Sequence, residues 1–148
     1  MISVSQLLRS RAENNVWTIE PDATVHQALA LMADKDIGAL LVVKDGQLVG
    51  VFSERDFART AYRTGKDCNA MHVHELMTAD VITIGPEFTL EECMALVTRE
   101  HIRHLPVMDM GKLIGLISIG DLVKAIIDSQ KGTIDNLQNY ILGEGYGR

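Results

Sequence analysis

An internal duplication constrains the fold of this chain more than any other feature of its 148 residues. Residues 16–57 align without a gap with residues 81–122, at a constant offset of 65. Residues that shape the backbone recur in register, namely Pro21/Pro86, Gly46/Gly111 and Gly50/Gly115. A gap-free repeat of this length indicates one supersecondary unit built twice.

Each copy predicts a β-α-β-β-α order. A short extended piece ends at the proline, and Thr24 or Thr89 then stands where a helix N-cap is expected. An apolar strand, a glycine turn and a second strand follow, and a last helix begins at Ser53 or Ser118. The predicted strands are 16–19, 39–43 and 48–52 in the first copy and 81–84, 105–108 and 113–117 in the second.

One copy is too small to bury an adequate core alone. We therefore predict an α+β fold in which two tandem copies pack sheet to sheet with pseudo-twofold symmetry. The predicted divisions are an N-terminal helical flank (1–15), repeat 1 (16–60), a connector (61–78), repeat 2 (79–128), and a C-terminal helix with a flexible tail (129–148). Both flanks show helical apolar spacing, so we expect them to close the module or to join a second chain as a homodimer.

Composition excludes several classes of function. Hydrophobic residues make up 47% and charged residues 23%, which indicates a globular chain rather than a disordered one. A net charge of −6 disfavours a nucleic-acid surface. No apolar run approaches the roughly 18 residues of a membrane span. No signal-peptide segment is evident, so we expect no membrane partner and a cytoplasmic location.

Cysteines and histidines give no metal pattern. Cys68 and Cys93 lack a metal-binding or disulfide spacing, which predicts free thiols. His72 and His74 would share one side of a strand, but no further ligands lie near them in the sequence. We therefore predict no metal site.

The last helix of each copy begins in a Gly-x-x-Ser-x-x-Asp segment, at 50–56 and 115–121. Serine followed three residues later by an acid resembles a capping box, in which the carboxylate only satisfies its own backbone. The same arrangement offers helix N-terminal amides to a phosphate and a carboxylate to both hydroxyls of a ribose. The two interpretations are compatible.

The start of each central strand supplies a second candidate group. Pro106 removes one ladder donor and leaves adjacent backbone available to a ligand. Arg103, beside His104, offers a rigid cationic fork to an anion, and Arg55 follows Ser53 closely. The alternatives are a solvated Arg103, a packed neutral His104 and an ion pair of Arg55 with a neighbouring acid. Thr18 and Thr83 can equally be simple strand formers.

These stretches resemble the CBS domain (cystathionine-β-synthase domain), and the pair resembles a Bateman module. The resemblance covers about residues 16–127 and is carried by TIEPDATVHQAL, IGALLVV and LVGVFSERDF in copy one and by TIGPEFTLEECM, IRHLPVMD and KLIGLISIGDL in copy two. It implies a stand-alone module with an adenine nucleotide in the cleft between the sheets. AMP is the leading ligand, and NAD(H), ADP and ATP are alternatives.

The resemblance also implies the site residues. Each site would combine the threonine before the proline, the start of the central strand, and Ser-x-x-Asp with its aspartate on the ribose. The implied nucleotide-binding residues are Thr18, Ile37, Gly38, Ala39, Ser53, Arg55 and Asp56, and Thr83, Ile102, Arg103, His104, Pro106, Ser118 and Asp121. Leu41 replaces Pro106 in copy one and Gly120 replaces Arg55 in copy two, which implies sites of different ligand or affinity.

The expected function is regulatory rather than enzymatic. The chain has no Walker loop, GxGxxG, HExxH or GxSxG segment. A module of this kind would bind a nucleotide and transmit its level, as signal transduction, to a partner protein that the sequence does not identify. The alternatives are an interaction scaffold with an empty cleft and a nucleotide-processing enzyme that uses Glu54, His101 or His104 as a base.

Overall fold

The sequence repeat becomes two β-α-β-β-α units in a computed structural model that describes residues 2–142. The elements are α1 (Val4–Ser10), β1 (Thr18–Ile19), α2 (Val25–Lys35), β2 (Ala39–Lys44), β3 (Gln47–Ser53), α3 (Glu54–Thr64), α4 (Val73–Leu76), α5 (Leu90–Glu100), β4 (His104–Asp109), β5 (Lys112–Ser118) and α6 (Ile119–Leu142). The predicted order of tandem repeats is confirmed. The flexible tail predicted at 143–148 lies outside the described residues.

The two hairpins match in detail. β2 pairs antiparallel with β3, and β4 pairs antiparallel with β5. Gly46 and Gly111, at φ 77° and 79°, close the two turns, where a residue with a side chain would be strained. The register shifts at equivalent places, between Val42 and Val43 and between Val107 and Met108. The duplication therefore extends to backbone register.

The first strand of repeat 2 is shorter than predicted. β1 runs parallel to β2, whereas the stretch predicted at 81–84 makes only one parallel bridge, between Ile84 and Val107. In repeat 1 the amide of Leu41 donates to the carbonyl of Trp17 at 3.2 Å. Pro106 occupies the equivalent position in repeat 2 and has no amide hydrogen to donate. Repeat 2 therefore lacks the backbone hydrogen bond that lets β1 pair with β2 over two residues in repeat 1.

Two short segments are exchanged between the repeats. α1 precedes repeat 1 but packs on repeat 2, and α4 precedes repeat 2 but packs on repeat 1. Equivalent backbone hydrogen bonds hold the two segments. Around α1 they join Val4 N to Phe88 O (2.7 Å), Ser5 N to Pro86 O (2.9 Å) and Leu90 N to Ile2 O (3.0 Å). Around α4 the corresponding bonds join Val73 N to Ala23 O (2.9 Å), His74 N to Pro21 O (3.0 Å) and Val25 N to Met71 O (2.9 Å). The segments 1–15 and 61–78 are thus in part structural equivalents.

Each exchanged segment completes a core. One cluster of buried residues joins repeat 1 to Met71, Val73 and Leu76, and the other joins repeat 2 to Val4 and Leu8. These contacts tie the two repeats together, because each core lacks part of its apolar lining without a segment from the other end of the chain.

Glycines admit the exchanged segments at equivalent positions. A Cβ on Gly115 would lie 2.9 Å from Leu8 Cδ2. A Cβ on Gly50 would lie 2.5 Å from Met77 Sδ and 3.1 Å from the carbonyl oxygen of Thr78. The absence of a side chain at both positions permits this close approach.

The last helix is longer than predicted. α6 is continuous from Ile119 to Leu142 and merges the final helix of repeat 2 with the C-terminal helix. A row of exposed apolar side chains follows its length, namely Val123, Ile127, Ile134, Leu137 and Ile141. None of the described helices is long and apolar enough to cross a membrane.

Candidate functional site

A cavity of about 390 Å³ lies between the two repeats. A volume of this order is typical of pockets for small ligands. Its lining residues are Gly38, Val51, Ser53, Glu54, Arg55, Asp56, Arg59, Thr78, Asp80, Val81, Ile82, His101, Ile102, Arg103, His104, Ser118 and Ile119. Both repeats contribute: the family resemblance implied that each site is built on one repeat, with Arg103 and His104 approaching the phosphates from the opposite repeat.

Asp56 lies in this cavity at the beginning of α3. Its Oδ2 accepts hydrogen bonds from the backbone N–H and the hydroxyl of Ser53, both at 2.9 Å. The amide of Asp56 donates to Ser53 Oγ at 3.2 Å. The capping box anticipated from the sequence is therefore present. All these bonds to the carboxylate use Oδ2, which leaves Oδ1 as an acceptor for a ligand hydroxyl.

Three guanidinium groups line the same cavity, those of Arg55, Arg59 and Arg103. The charge of Arg103, followed by desolvation and the charge of Arg59, lowers the pKa of Arg55. Within residues 2–142 none of the three forms an ion pair with a carboxylate. The carboxylate of Asp56 acts on the pKa of Arg55 in the opposite direction, but it is a smaller cause than the two arginines. Three guanidinium groups close together favour the binding of an anion such as a phosphate.

His104 stands at the beginning of β4, opposite Ser118 on β5. Burial lowers the pKa of its imidazole, and the nearby charge of Arg103 acts in the same direction. The carboxylates of Asp121 and Asp56 act in the opposite direction and so lie close enough to influence the ring. His104 is therefore placed between the two Ser-x-x-Asp segments, as a half-buried group that is neutral at pH 7.

The second Ser-x-x-Asp segment has a different environment. The backbone N–H of Ser118 donates to Asp121 Oδ2 at 2.8 Å, and the amide of Asp121 donates to Ser118 Oγ at 3.1 Å. In addition, Arg11 Nη2 forms an ion pair with Asp121 Oδ2 at 2.8 Å. The Nη1 group of Arg11 also donates to the carbonyl of Leu116 at 3.0 Å. Asp121 is therefore already engaged, and it does not line the cavity.

The cavity brings together eight of the predicted site residues: Gly38, Ser53, Arg55, Asp56, Ile102, Arg103, His104 and Ser118. It does not include Thr18, Ile37, Ala39, Thr83, Pro106 or Asp121. Ala39 and Pro106 are buried in their strands, and Thr18 and Thr83 are exposed outside the cavity. Thr18 instead borders two shallow depressions beside the first hairpin.

Sequence reasoning missed several lining residues. Thr78, Asp80, Val81 and Ile82 follow the exchanged segment α4 and reach the cavity from the connector side. Thr78 pairs with Val51 on β3, with its amide 2.9 Å from the carbonyl of Val51. The signal for this segment was a match of residues 4–8 with 73–77 at an offset of 69, not 65. Arg59 follows Arg55 by one helical turn, so its position was accessible from the sequence.

The remaining histidines and cysteines lie elsewhere. His72 and His74 lie at the beginning of α4 rather than on a strand, with their rings stacked 5.7 Å apart. Within residues 2–142 no group of three or more His, Cys, Asp or Glu side chains could hold a metal ion. Cys68 and Cys93 are free, and burial raises the pKa of Cys93 to about 11.

Comparison with known proteins assigns the repeat. The family model of the CBS domain matches residues 4–62 and 73–128. The chain belongs to the CBS-domain family. Both matches include the exchanged segments α1 and α4, so the CBS repeats of this chain begin earlier than residues 16 and 79.

Relatives of this CBS pair span most of its length. CBS domain-containing protein CBSX3, mitochondrial, of Arabidopsis thaliana is 33% identical over 97% of this chain and 73% of its own. The crystal structure of a CBS domain, NE2398, is 48% identical with a TM-score of 0.79, covering 84% of this chain and 97% of that one. A crystal structure of CBSX2 in complex with AMP is 27% identical with a TM-score of 0.70, covering 86% and 98%.

Proposed function

We propose that this CBS pair is a non-enzymatic regulatory module that binds an adenine nucleotide between its repeats and transmits the bound state to a partner protein. The observation that carries the proposal is the combination, in one cavity, of a capped carboxylate whose Oδ1 accepts no hydrogen bond and three guanidinium groups that form no ion pair among the described residues. A carboxylate suits a ribose diol, and guanidinium groups suit phosphates. A cytoplasmic location stays a prediction.

In the proposed complex Asp56 accepts hydrogen bonds from the ribose hydroxyls. The phosphate meets Arg55 and Arg103 together with the N-terminus of α3, whose amides favour an anion. The adenine ring packs against the apolar side chains of Ile82 and Ile102. Regulation then follows if the nucleotide binds two arrangements of the repeats with different affinities and so shifts their populations.

AMP is the leading ligand of the proposal. The related CBSX2 binds AMP in its crystal structure, which supports an adenine mononucleotide. Three guanidinium groups in the cavity also suit a more highly charged ligand, so ADP, ATP and NAD(H) belong in the same binding panel. The regulated partner is a separate protein in this proposal.

Replacing Asp56 with asparagine tests the ribose contact. We expect D56N to bind AMP at least about tenfold more weakly than wild type, because hydrogen bonds to a charged group contribute roughly 1.5–3 kcal/mol. Isothermal titration calorimetry measures the change. D22N is the matched control, since Asp22 is exposed beside another depression and outside the cavity.

Three results would contradict the proposal in different ways. Equal AMP affinity of D56N and wild type would mean that the site is wrongly assigned. No binding of any nucleotide in the panel would favour the scaffold alternative. Turnover of AMP, ATP or NAD by pure protein would favour an enzyme.

We also propose that α6 joins two copies of the chain into a homodimer. Its exposed apolar residues follow a heptad in which Ile127, Ile134 and Ile141 occupy a positions and Val123 and Leu137 occupy d positions. Gln130 occupies the d position between them. Isoleucine at a, with leucine at one of the d positions, favours a parallel two-stranded coiled coil. The exposed seam would then be buried against itself across the dimer axis.

The oligomeric state of an α6 variant tests the dimer. We expect the wild type to sediment as a dimer and the double variant I127K/I134K to sediment as a monomer, because charges at the a positions oppose burial of the seam. Sedimentation velocity over a concentration series measures this. D128K, which changes an exposed residue outside the seam, is expected to stay dimeric. A monomeric wild type, or a dimeric double variant, would contradict the proposal.

A further inference from the structure

Equivalent positions of the two halves place residues of opposite charge near the two Ser-x-x-Asp segments. The offset of 69 that relates α1 to α4 also relates Arg11 to Asp80. Asp80 lines the cavity that holds Asp56, whereas Arg11 forms an ion pair with Asp121. Asp56 therefore forms no direct ion pair among the described residues, whereas its equivalent, Asp121, is paired with Arg11.

Arg11 holds two groups at the second segment. Its Nη2 lies 2.8 Å from Asp121 Oδ2, and its Nη1 donates to the carbonyl of Leu116 at 3.0 Å. In repeat 1 the carbonyl equivalent to that of Leu116 belongs to Val51 and accepts from the amide of Thr78 instead. The side chain of Arg11 thus takes a position that the backbone fills in the other half, and it reaches the carboxylate from there.

The groups that could meet a phosphate also differ between the two halves. The positions equivalent to Arg55, Arg103 and His104 are occupied by Gly120, Gly38 and Ala39. Of the groups that could neutralise a ligand phosphate near Asp121, Arg11 is the one in direct contact with that carboxylate, and the ion pair consumes it. A nucleotide at Asp121 would have to displace this pair.

We propose that Arg11 closes the second nucleotide site, so that each chain binds one nucleotide, at Asp56. This inference rests on the proposed function and states how many nucleotides each chain binds. A ligand at Asp121 has to displace this two-point contact, and for a partly exposed pair we expect this to lower its affinity by roughly three- to tenfold. The contact is partly exposed, with 24% and 41% of the Arg11 and Asp121 side chains accessible, so it contributes little to folding.

The variant R11A tests this assignment. We expect calorimetry with AMP to give one bound nucleotide per wild-type chain and two per R11A chain. The second event should require Asp121 and should depend little on the phosphate, so adenosine should bind the opened site about as well as AMP. R9A is the matched control, because Arg9 lies two residues before Arg11, on α1, and among the described residues its guanidinium hydrogen-bonds only to Ser5 Oγ. It should bind one nucleotide.

Wild-type protein supplies a second measurement that does not depend on the folding of R11A. We expect D121N to leave the AMP affinity of the wild type unchanged while D56N weakens it. One nucleotide per R11A chain would overturn the role of Arg11 and leave the proposed function intact. Two nucleotides per wild-type chain, with the second lost in D121N, would likewise overturn the role of Arg11 and leave the proposed function intact. No AMP binding by either wild type or R11A would overturn the proposed function itself, and this inference with it.

Discussion

The double variant V4A/L8A is expected to lower the free energy of unfolding by about 4 kcal/mol or more, because truncation of buried aliphatic side chains leaves cavities. Val4 and Leu8 precede repeat 1, yet both are buried in the core of repeat 2. The loss should therefore appear in the unfolding of repeat 2. Chemical denaturation monitored by circular dichroism measures the size of the effect.

Y62A is the control for this truncation, since Tyr62 is 92% exposed on α3 and its removal should change stability by only a few tenths of a kcal/mol. Equal stability of V4A/L8A and wild type would mean that α1 does not pack on repeat 2 in solution. The exchange of segments would then be wrong.

Replacing Arg103 with alanine is expected to weaken AMP binding about 10- to 100-fold, because a charge-assisted contact to the phosphate is lost. Binding of adenosine, which has no phosphate, should change little. The thermal stability of the free protein should stay the same or rise, because Arg103 is the largest cause of the lowered pKa of Arg55 and its removal relieves that repulsion. Calorimetry with both ligands and a thermal melt give the three readouts.

R99A is the matched control for Arg103. Arg99 lies on α5, pairs with Glu100 at 3.0 Å and does not line the cavity. It should leave the affinities for AMP and adenosine unchanged. If R103A lowered the affinities for AMP and for adenosine by the same factor, Arg103 would affect the shape of the site rather than contact the phosphate.

Most of the fold could be predicted from the sequence because the duplication reports directly on local structure. Thr24 and Thr89 cap their helices as expected, and each forms a capping box with residue i+3. The shortened first strand of repeat 2 was harder to see, although its cause was in the sequence. Pro106 was recognised as a missing donor, but its consequence for the parallel ladder became apparent only when Leu41 was found bonded to Trp17.

The exchanged segments could not be found by the ungapped comparison. α4 is only four residues long, which is too short for helical periodicity, and its offset from α1 is 69 rather than 65. A four-residue difference in loop length therefore concealed the equivalence. No feature of the sequence indicates that α1 packs on repeat 2 rather than on the repeat that follows it directly.

The site residues predicted from the sequence lie together only in part, and their role in binding stays a prediction. Asp56, Arg55, Arg103 and His104 do meet in one cavity. The approach of Arg103 and His104 from the opposite repeat was expected, whereas the contribution of residues 78–82 was not. The ion pair of Arg11 with Asp121 joins residues 110 positions apart in the sequence (121 − 11), so it could not be predicted without the tertiary structure.

The crossing of α1 and α4 has a consequence for dissecting this polypeptide. A cut between residues 64 and 71 gives an N-terminal piece that keeps Val4 and Leu8 but loses Met71, Val73 and Leu76. The C-terminal piece has the converse defect. Each fragment then carries an apolar segment without the core that buries it and a core that lacks its own segment. The separated halves should therefore associate with each other rather than persist as soluble monomers.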